Sequence, residues 1–193
     1  MRPPIRAFIA IELDERIKRA LTRVQDRLKT AEADIRWAET ANIHLTLKFL
    51  GDIQPEIIDD VEQAMARTAA GFTHFHMDIG ALSAFPDANN PRVIWASVTK
   101  RANYLHEMAS RLTEELGSLI TGEASRGFTP HITLGRNRAE TPAPRLTDLL
   151  NNTHAPAGLT QKVERIALFR SELLPKGPVY HLLYSVALGN DEI

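Results

Sequence analysis

The sequence predicts an α+β fold with two similar lobes, and three observations lead to that prediction. The 193-residue length suits one domain, or two small lobes that share a core. Segments with strand alternation and segments with helical spacing succeed one another along the chain. The pattern histidine, apolar residue, threonine, leucine occurs once in each half, as His44–Leu47 and His131–Leu134. We therefore expect a single bilobed domain over residues 1–193, with one copy of the motif in each lobe.

The first half is predicted to contain two strands, each followed by a helix. Residues 6–13 form an apolar run typical of a buried strand, and Asp14 can cap the helix that follows. Residues 44–50 alternate between polar and apolar side chains, as strands do, until Gly51. Pro55 then suits the first turn of a second helix. Apolar residues at helical spacing mark the buried faces of these two helices: Ile17, Leu21, Val24, Leu28, Ile58, Val61 and Met65.

The second half is predicted to contain more strands than the first. Strands are expected over residues 75–82, 92–98, 131–135, 162–170 and 179–188. A helix over residues 101–116 ends at Gly117, and prolines start a short helix over residues 141–150. The last two strands are expected to be joined by a loop with Pro175, Gly177 and Pro178. Each lobe then consists of a sheet with helices on its outer face.

Composition excludes several classes of protein. The formal net charge of −1 excludes a polybasic nucleic-acid binder but leaves room for a basic patch in a cleft. The absence of cysteine excludes disulfides, thiolate catalysis and zinc–thiolate sites. The N-terminal apolar run is short and ends in Glu12 and Asp14, unlike a signal peptide or a membrane span. We expect a cytoplasmic monomer that does not associate with membranes.

The repeated motif predicts two strands that are each polar on one face. Alternation places His44, Thr46 and Lys48 on one face, and Leu45, Leu47 and Phe49 on the other. His131 and Thr133 share a face in the same way. If the two lobes face each other, their polar faces meet in a cleft that holds two histidines and two threonines.

Two histidines on either side of a phosphate can perform acid–base catalysis without a metal ion or another cofactor. The unperturbed imidazole pKa of about 6.5 allows both protonation states near neutral pH. Threonine hydroxyls can donate hydrogen bonds to phosphate oxygens, and Arg136 can supply positive charge. Strict alternation places Arg136 on the apolar face, so the strand must end or bulge near Gly135 for Arg136 to reach the cleft.

At these residues the chain resembles the two-histidine (2H) phosphoesterases, a superfamily defined by a pair of HxTx motifs. It is most similar to their bacterial and archaeal RNA 2′,3′-cyclic phosphodiesterase branch, also called 2′-5′ RNA ligases. The resemblance is carried by the stretches RAFIAIEL, IRWAETANIHLTLKFLGD, FPDANNPRVIWASV, FTPHITLGR and LFRSELLPKGPVYHLLYSVAL. It implies a bilobed fold with pseudo-twofold symmetry, in which two antiparallel sheets line a central cleft and helices cover the outer faces.

The resemblance also implies a reaction, the hydrolysis of RNA 2′,3′-cyclic phosphate ends, such as those of tRNA halves, to 2′-phosphates without a metal or cofactor. It implies that His44 is the general acid and His131 the general base. It further implies that Thr46, Thr133 and Arg136 contact the phosphate. The resemblance also favours Phe8 as a surface on which a base stacks, because every base offers a π-face. The reverse reaction, with an RNA 5′-hydroxyl in place of water, is ligation.

Two other functions remain open from the sequence. The same site suits a small cyclic nucleotide or ADP-ribose 1″,2″-cyclic phosphate, which present the same kind of strained diester. A non-catalytic RNA-binding module is a second alternative, although capturing a phosphate requires cations or hydroxyls and not a second matching histidine. The roles of Lys48, Arg126 and His181 are also open.

Overall fold

The fold is a curled antiparallel sheet with helices on its outer side. It is known from a computed structural model that describes residues 2–120, 127–139, 143–175 and 177–190. The strands are β1 (Ile5–Glu12), β2 (Ile35–Trp37), β3 (His44–Ile53), β4 (Phe75–Pro86), β5 (Pro91–Val98), β6 (His131–Asn137), β7 (Thr160–Val163), β8 (Arg165–Leu174) and β9 (Gly177–Ala187). The helices are α1 (Glu15–Lys29), α2 (Ile58–Ala69), α3 (Ala102–Leu116) and α4 (Pro144–Asn152).

The two motif strands lie side by side in the middle of the sheet. Within the described residues the strand order is β7-β4-β5-β6-β3-β1-β8-β9, and β2 pairs with β6. We call β3, β1, β8 and β9 the His44 half, and β6, β5, β4 and β7 the His131 half. A single register pair, Leu45 with Ile132, joins β3 to β6. The α+β prediction is confirmed, and the two predicted sheets are the two halves of one continuous sheet that curls around the cleft.

The helices cover the outer faces of both halves and enclose the core. Helices α2 and α3 pack against each other on the His44 half, and α1 and α4 pack together on the His131 half. One buried apolar cluster contains residues of both halves, including Ile9, Leu45, Ile94 and Ile132, each 0% exposed. Burying one such side chain contributes about 1.5–3 kcal/mol to stability. No helix among the described residues is long and apolar enough to cross a membrane.

The predicted helix faces agree with the structure, but some strand predictions were wrong. Among the predicted inward residues of α1 and α2, only Ile58 is half-buried, and the others are buried. The predicted strand over residues 162–170 is two strands, because the chain crosses between the halves at Glu164. Strand β7 pairs with β4 in the His131 half, and β8 pairs with β1 in the His44 half.

The loop predicted around Pro175 is much shorter than expected. Strand β8 continues to Leu174, β9 begins at Gly177, and the two strands pair along their whole length. Pro178 is tolerated inside this pairing because β9 is the edge strand of the sheet, where a missing N–H costs no ladder hydrogen bond. The strands therefore form a long hairpin, and residues near its turn line one end of the cleft described below.

Each motif strand contains a β-bulge at the same position, directly after the motif threonine. In β3 the partners of Ala10 and Ile9 are Thr46 and Lys48, so Leu47 is an extra residue. In β6 the partners of Trp95 and Ile94 are Thr133 and Gly135, so Leu134 is an extra residue. A bulge shifts the alternation of the side chains that directly follow it by one position. The predicted bulge near Gly135 is therefore confirmed, and the first motif contains a matching one.

The bulge in β3 overturns the prediction that Phe49 lies on the apolar face and Lys48 on the cleft face. Phe49 is 61% exposed and lines the cleft, whereas Lys48 is half-buried and lies outside the cleft lining. Phe49 stands five positions after His44, as Arg136 does after His131. The two bulges therefore bring equivalent positions into the cleft, one aromatic and one cationic.

A buried glutamine of α1 holds the bulge of β6. The side-chain nitrogen of Gln25, which is 1% exposed, donates to the carbonyl oxygens of Leu134 at 2.8 Å and Ala38 at 2.9 Å. The backbone N–H of Ala38 donates to the same Leu134 oxygen at 2.9 Å. Buried polar groups need such partners, and a bulge removes partners from the ladder. Gln25 thus stabilises the backbone shape that turns Arg136 towards the cleft.

Candidate active site

A cleft of about 470 Å³ lies on the concave side of the sheet, where the two halves meet. This volume falls within the range of small-ligand sites, about 300–1,000 Å³. The cleft is lined by every site residue that the sequence predicts: Phe8, His44, Thr46, His131, Thr133 and Arg136. The fold thus brings together residues from β1, β3 and β6 that are far apart in the sequence.

The His44 ring is held by one hydrogen bond on each nitrogen. Its Nδ1 lies 2.7 Å from the carbonyl oxygen of Asn42, and its Nε2 lies 2.9 Å from Oγ1 of Thr46. Because a carbonyl oxygen only accepts, Nδ1 must carry the proton in the neutral ring. Nε2 then has the lone pair, and it gains a proton only when the ring is charged.

The His131 ring is held in an equivalent way. Its Nδ1 lies 2.7 Å from the carbonyl oxygen of Thr129, again the residue two positions before the histidine. This contact fixes the same tautomer as in His44 and leaves Nε2 for a ligand. Both imidazoles can therefore accept or donate one proton through Nε2, depending on their charge.

Aromatic rings support both histidines. Phe8 stacks on His44 with ring centroids 4.8 Å apart, and Tyr180 meets His44 edge-on at 5.3 Å. Phe85 meets His131 edge-on at 5.3 Å, and it stacks in turn on Trp95. These contacts fix the direction of each imidazole, which acid–base catalysis requires.

The position of Phe8 does not favour the predicted stacking of a base on its ring. Phe8 is 4% exposed, because it stacks on Phe169 at 5.4 Å as well as on His44. Phe49, with its ring centroid 6.2 Å from that of Phe8, presents an open aromatic surface to the cleft instead. Regular strand alternation predicted the wrong face for Phe49. Its position five residues after His44, matching that of Arg136 after His131, is the sequence signal that could have identified it as a cleft residue.

Four arginines of the described ranges line the cleft, although the chain as a whole has a net charge of −1. They are Arg6 of β1, Arg36 of β2, and Arg136 and Arg138 at the end of β6. Among the described residues, none of the four has a carboxylate within 4.0 Å. Concentrated positive charge in a concave site attracts anions. Only Arg136 was predicted here, because nothing in the periodicity around Arg36 indicated a strand.

Burial and nearby charge shift the protonation of two cleft side chains. Burial is the main cause that lowers the pKa of His44, and the charges of His131 and Lys18 lower it further. The hydrogen bond to the Asn42 carbonyl acts in the opposite direction but does not offset burial. Burial raises the pKa of Tyr180, against the influence of nearby arginines. The neutral form of His44 therefore dominates at pH 7 in the free protein.

The residues whose roles were open lie outside this group. His181 is exposed and lies 3.2 Å from a carboxylate oxygen of Glu172, on β9 next to Tyr180 but on the opposite face of the strand. Arg126 falls outside the described residues. In the described ranges, no three histidine, cysteine, aspartate or glutamate side chains are grouped as a metal ion would need.

Comparison with known proteins shows similarity along nearly the whole chain. The family described as LigT-like phosphoesterase matches residues 11–95 and 98–180. An RNA 2′,3′-cyclic phosphodiesterase from Methanothermobacter thermautotrophicus is 31% identical over 176 residues, which cover 91% of this chain and 95% of the relative. A protein of the same name from Thermus thermophilus is 34% identical, covering 95% of this chain and 90% of the relative.

A solved structure shows that the fold is shared as well. The crystal structure of TT0787 from Thermus thermophilus superposes with a TM-score of 0.80 at 30% identity, covering 97% of this chain and all of the other. Each of the two segments that match the family contains one HxTx strand of the cleft. This chain belongs to the LigT-like phosphoesterase family.

Proposed function

We propose that this protein hydrolyses RNA 2′,3′-cyclic phosphate ends to 2′-phosphates by acid–base catalysis with two histidines. The observation that carries the proposal is the pair of imidazoles in one cleft, each with Nδ1 bonded to a backbone carbonyl, so that Nε2 is the nitrogen that can exchange a proton. In His44 this nitrogen also contacts the hydroxyl of Thr46. Curated relatives that are 27–34% identical over most of the chain carry the name of this activity. RNA ends with a cyclic phosphate are therefore the substrate class we propose for this chain.

The proposed reaction moves one proton at each histidine. His131 Nε2 takes a proton from water as the water oxygen bonds to phosphorus. The bond from phosphorus to O3′ breaks, and His44 Nε2 donates a proton to that departing oxygen. Water and O3′ lie on opposite sides of phosphorus, which matches histidines on two facing halves. The same steps with an RNA 5′-hydroxyl in place of water join two RNA ends through a 2′-5′ linkage, as the bond from phosphorus to O3′ breaks.

The remaining cleft residues have proposed roles in holding the substrate. The hydroxyls of Thr46 and Thr133 donate hydrogen bonds to phosphate oxygens, and Arg136 offsets the negative charge that builds up there. Phe49 offers its exposed ring to the terminal base. None of these steps requires a metal ion.

The role of His44 predicts a difference between two pH profiles. The general acid must be protonated, so the rate falls as pH rises through its pKa. In the free protein burial lowers the pKa of His44, whereas the negative charge of a bound phosphodiester raises it. We therefore expect the alkaline limb of kcat to lie at higher pH than the alkaline limb of kcat/KM. Initial rates measured across about pH 4.5 to 9 give both limbs.

The opposite displacement of these limbs would contradict the assignment of His44 as the acid. If His44 were the base, its pKa would instead define the acidic limb. Proton NMR of the His44 ring, in the free protein and with 2′-AMP bound, assigns the limb to this residue.

Product analysis tests the proposed reaction directly. The substrate is a dinucleotide with a 2′,3′-cyclic phosphate end, offered to protein that has been dialysed against a chelator. We expect steady turnover, with phosphorus NMR showing a 2′-phosphate as the dominant product. A pure 3′-phosphate would reverse the orientation of the ribose, and an absence of turnover would favour a binding module. Competition with ADP-ribose 1″,2″-cyclic phosphate tests the alternative substrate.

A further inference from the structure

Two arginines of the cleft stand directly opposite each other on neighbouring strands. Arg36 of β2 is the register partner of Arg136 of β6, and both side chains are exposed and line the cleft. Like charges directly opposite on an antiparallel pair destabilise it. The described residues provide no carboxylate within 4.0 Å of either one. An arrangement of this kind suits a ligand that brings more than one negative charge.

Arg36 reaches across the cleft from β2, which pairs with β6 of the His131 half, to the His44 half. A Cβ placed on Gly177, at the start of β9, would lie 3.7 Å from a guanidinium nitrogen of Arg36. Asn42 holds the same end of β9 in place, because its side-chain nitrogen donates a hydrogen bond to the carbonyl oxygen of Pro178 at 2.7 Å. The guanidinium of Arg36 therefore lies beside the turn of the β8–β9 hairpin, at one end of the cleft.

Tyr180, which belongs to the same strand β9, also lines the cleft. Arg136, Arg36 and Arg6 all act to lower the pKa of Tyr180, in that order of influence, against the larger effect of burial. Tyr180 also touches the ring of His44 edge-on at 5.3 Å. Arg6, Arg36 and Arg136 thus line one cleft with Tyr180, whose hydroxyl can donate a hydrogen bond beside the histidine that we assign as the acid.

We propose that Arg36, Arg6 and the Tyr180 hydroxyl form a second phosphate subsite, which binds the internucleotide phosphate adjacent to the terminal cyclic phosphate. This inference rests on the proposed function, in which Arg136 contacts the reacting phosphate. Two neighbouring phosphates then neutralise the two facing arginines. Arginine suits this role, because its planar fork can bind phosphate oxygens bidentately.

The second subsite makes the end of an RNA strand a better substrate than a mononucleotide. A nucleoside 2′,3′-cyclic phosphate has only the reacting phosphate, so it leaves Arg36 without a counter-charge. A dinucleotide with the same end supplies the second negative charge. The preference for a strand end over a mononucleotide thus comes from the charges of the cleft and does not require recognition of a base sequence.

The test compares three compounds that share one reacting end. They are adenosine 2′,3′-cyclic phosphate, the diadenosine form with a natural linkage, and the same diadenosine form with an uncharged methylphosphonate linkage. In the wild-type protein we expect kcat/KM for the natural linkage to exceed that for the methylphosphonate by about 10-fold or more, as a charged hydrogen bond implies. In Arg36→Ala this ratio should fall close to one.

A matched control removes the same charge elsewhere. Arg19 is exposed on α1, outside the cleft lining, so Arg19→Ala should keep the wild-type ratio. Arg36→Gln, which retains a polar side chain of similar reach, is a second variant in case the alanine variant folds poorly. The melting temperature of Arg36→Ala without ligand should equal or exceed that of the wild type, because a like-charge pair is removed.

Failure of the subsite and failure of the proposed function give different results. If the wild type hydrolyses both diadenosine compounds at equal kcat/KM, the subsite is overturned while the phosphodiesterase remains. If no compound is hydrolysed, the proposed function fails, and calorimetric binding of the two diadenosine compounds with 2′-phosphate ends tests the subsite. The subsite is overturned if the wild type binds both linkages with equal affinity, or if Arg36→Ala keeps the wild-type preference for the charged linkage.

Discussion

Replacing His131 with alanine is expected to lower kcat for a 2′,3′-cyclic phosphate substrate by about 10² to 10⁴, and His44→Ala should have an effect of the same size. Each substitution removes an imidazole Nε2 that we expect to exchange a proton with the substrate at its side of the cleft. Single-turnover rates with a cyclic dinucleotide, followed by chromatography of the product, measure the loss separately from product release.

The double variant distinguishes a coupled pair from two independent groups. Because the acid and the base act on one displacement, His44→Ala with His131→Ala should lose less than the product of the two single losses. His76→Ala is the matched control, since His76 is exposed on β4 outside the cleft lining and should leave the rate unchanged. Activity near the wild-type level in either single cleft variant would remove that histidine from the mechanism.

Replacing Thr46 or Thr133 with valine is expected to lower kcat/KM by about 10- to 150-fold. The value corresponds to about 1.5–3 kcal/mol for one hydrogen bond to a charged group, and valine keeps the shape of threonine. The serine variants, which restore the hydroxyl, should recover most of the activity. Initial rates at low substrate concentration, with thermal unfolding curves as a check on stability, provide the comparison.

The two threonines should differ in one respect. Thr46 already bonds His44 Nε2 at 2.9 Å, so its loss also frees the His44 ring. Thr46→Val should therefore shift the pH limb assigned to His44, whereas Thr133→Val should lower the rate without moving it. If both valine variants turn over the substrate normally, the reacting phosphate lies elsewhere in the cleft.

The features predicted correctly from the sequence are those that depend on local periodicity. The α1 residues Ile17 and Leu21 are buried because helical spacing places them on one face. His44 and Thr46 share a face because they lie two positions apart within a regular stretch of strand. Phe49 was placed on the wrong face because alternation was extended beyond a bulge, which depends on pairing with another strand.

The unpredicted parts of the site depend on contacts between distant segments. Strand β2 has three residues, too few to show a period, and it exists because Trp37 and Arg36 pair with β6. Tyr180 reaches His44 because the sheet curls and brings β9 over β3, although two strands separate them. The spacing of residues in the sequence does not indicate contacts between distant segments. Arg36 and Tyr180 could therefore be identified as cleft residues only from the structure.

The matching bulges after Thr46 and Thr133 separate two tasks along each strand. We expect the histidine and threonine before each bulge to act on the reacting phosphate. The residue after the bulge adds a further contact with the ligand, to the base at Phe49 and to the phosphate charge at Arg136. A substitution at Phe49 or Arg136 therefore changes a side-chain contact with the ligand without altering the backbone that orients the histidines. The two motif strands thus share the positions of their histidine and threonine and differ after the bulge, where one strand presents a ring and the other a charge. Exchanging the residues at these two positions should change which ligands are preferred, and moving the Arg136 charge should also lower the rate.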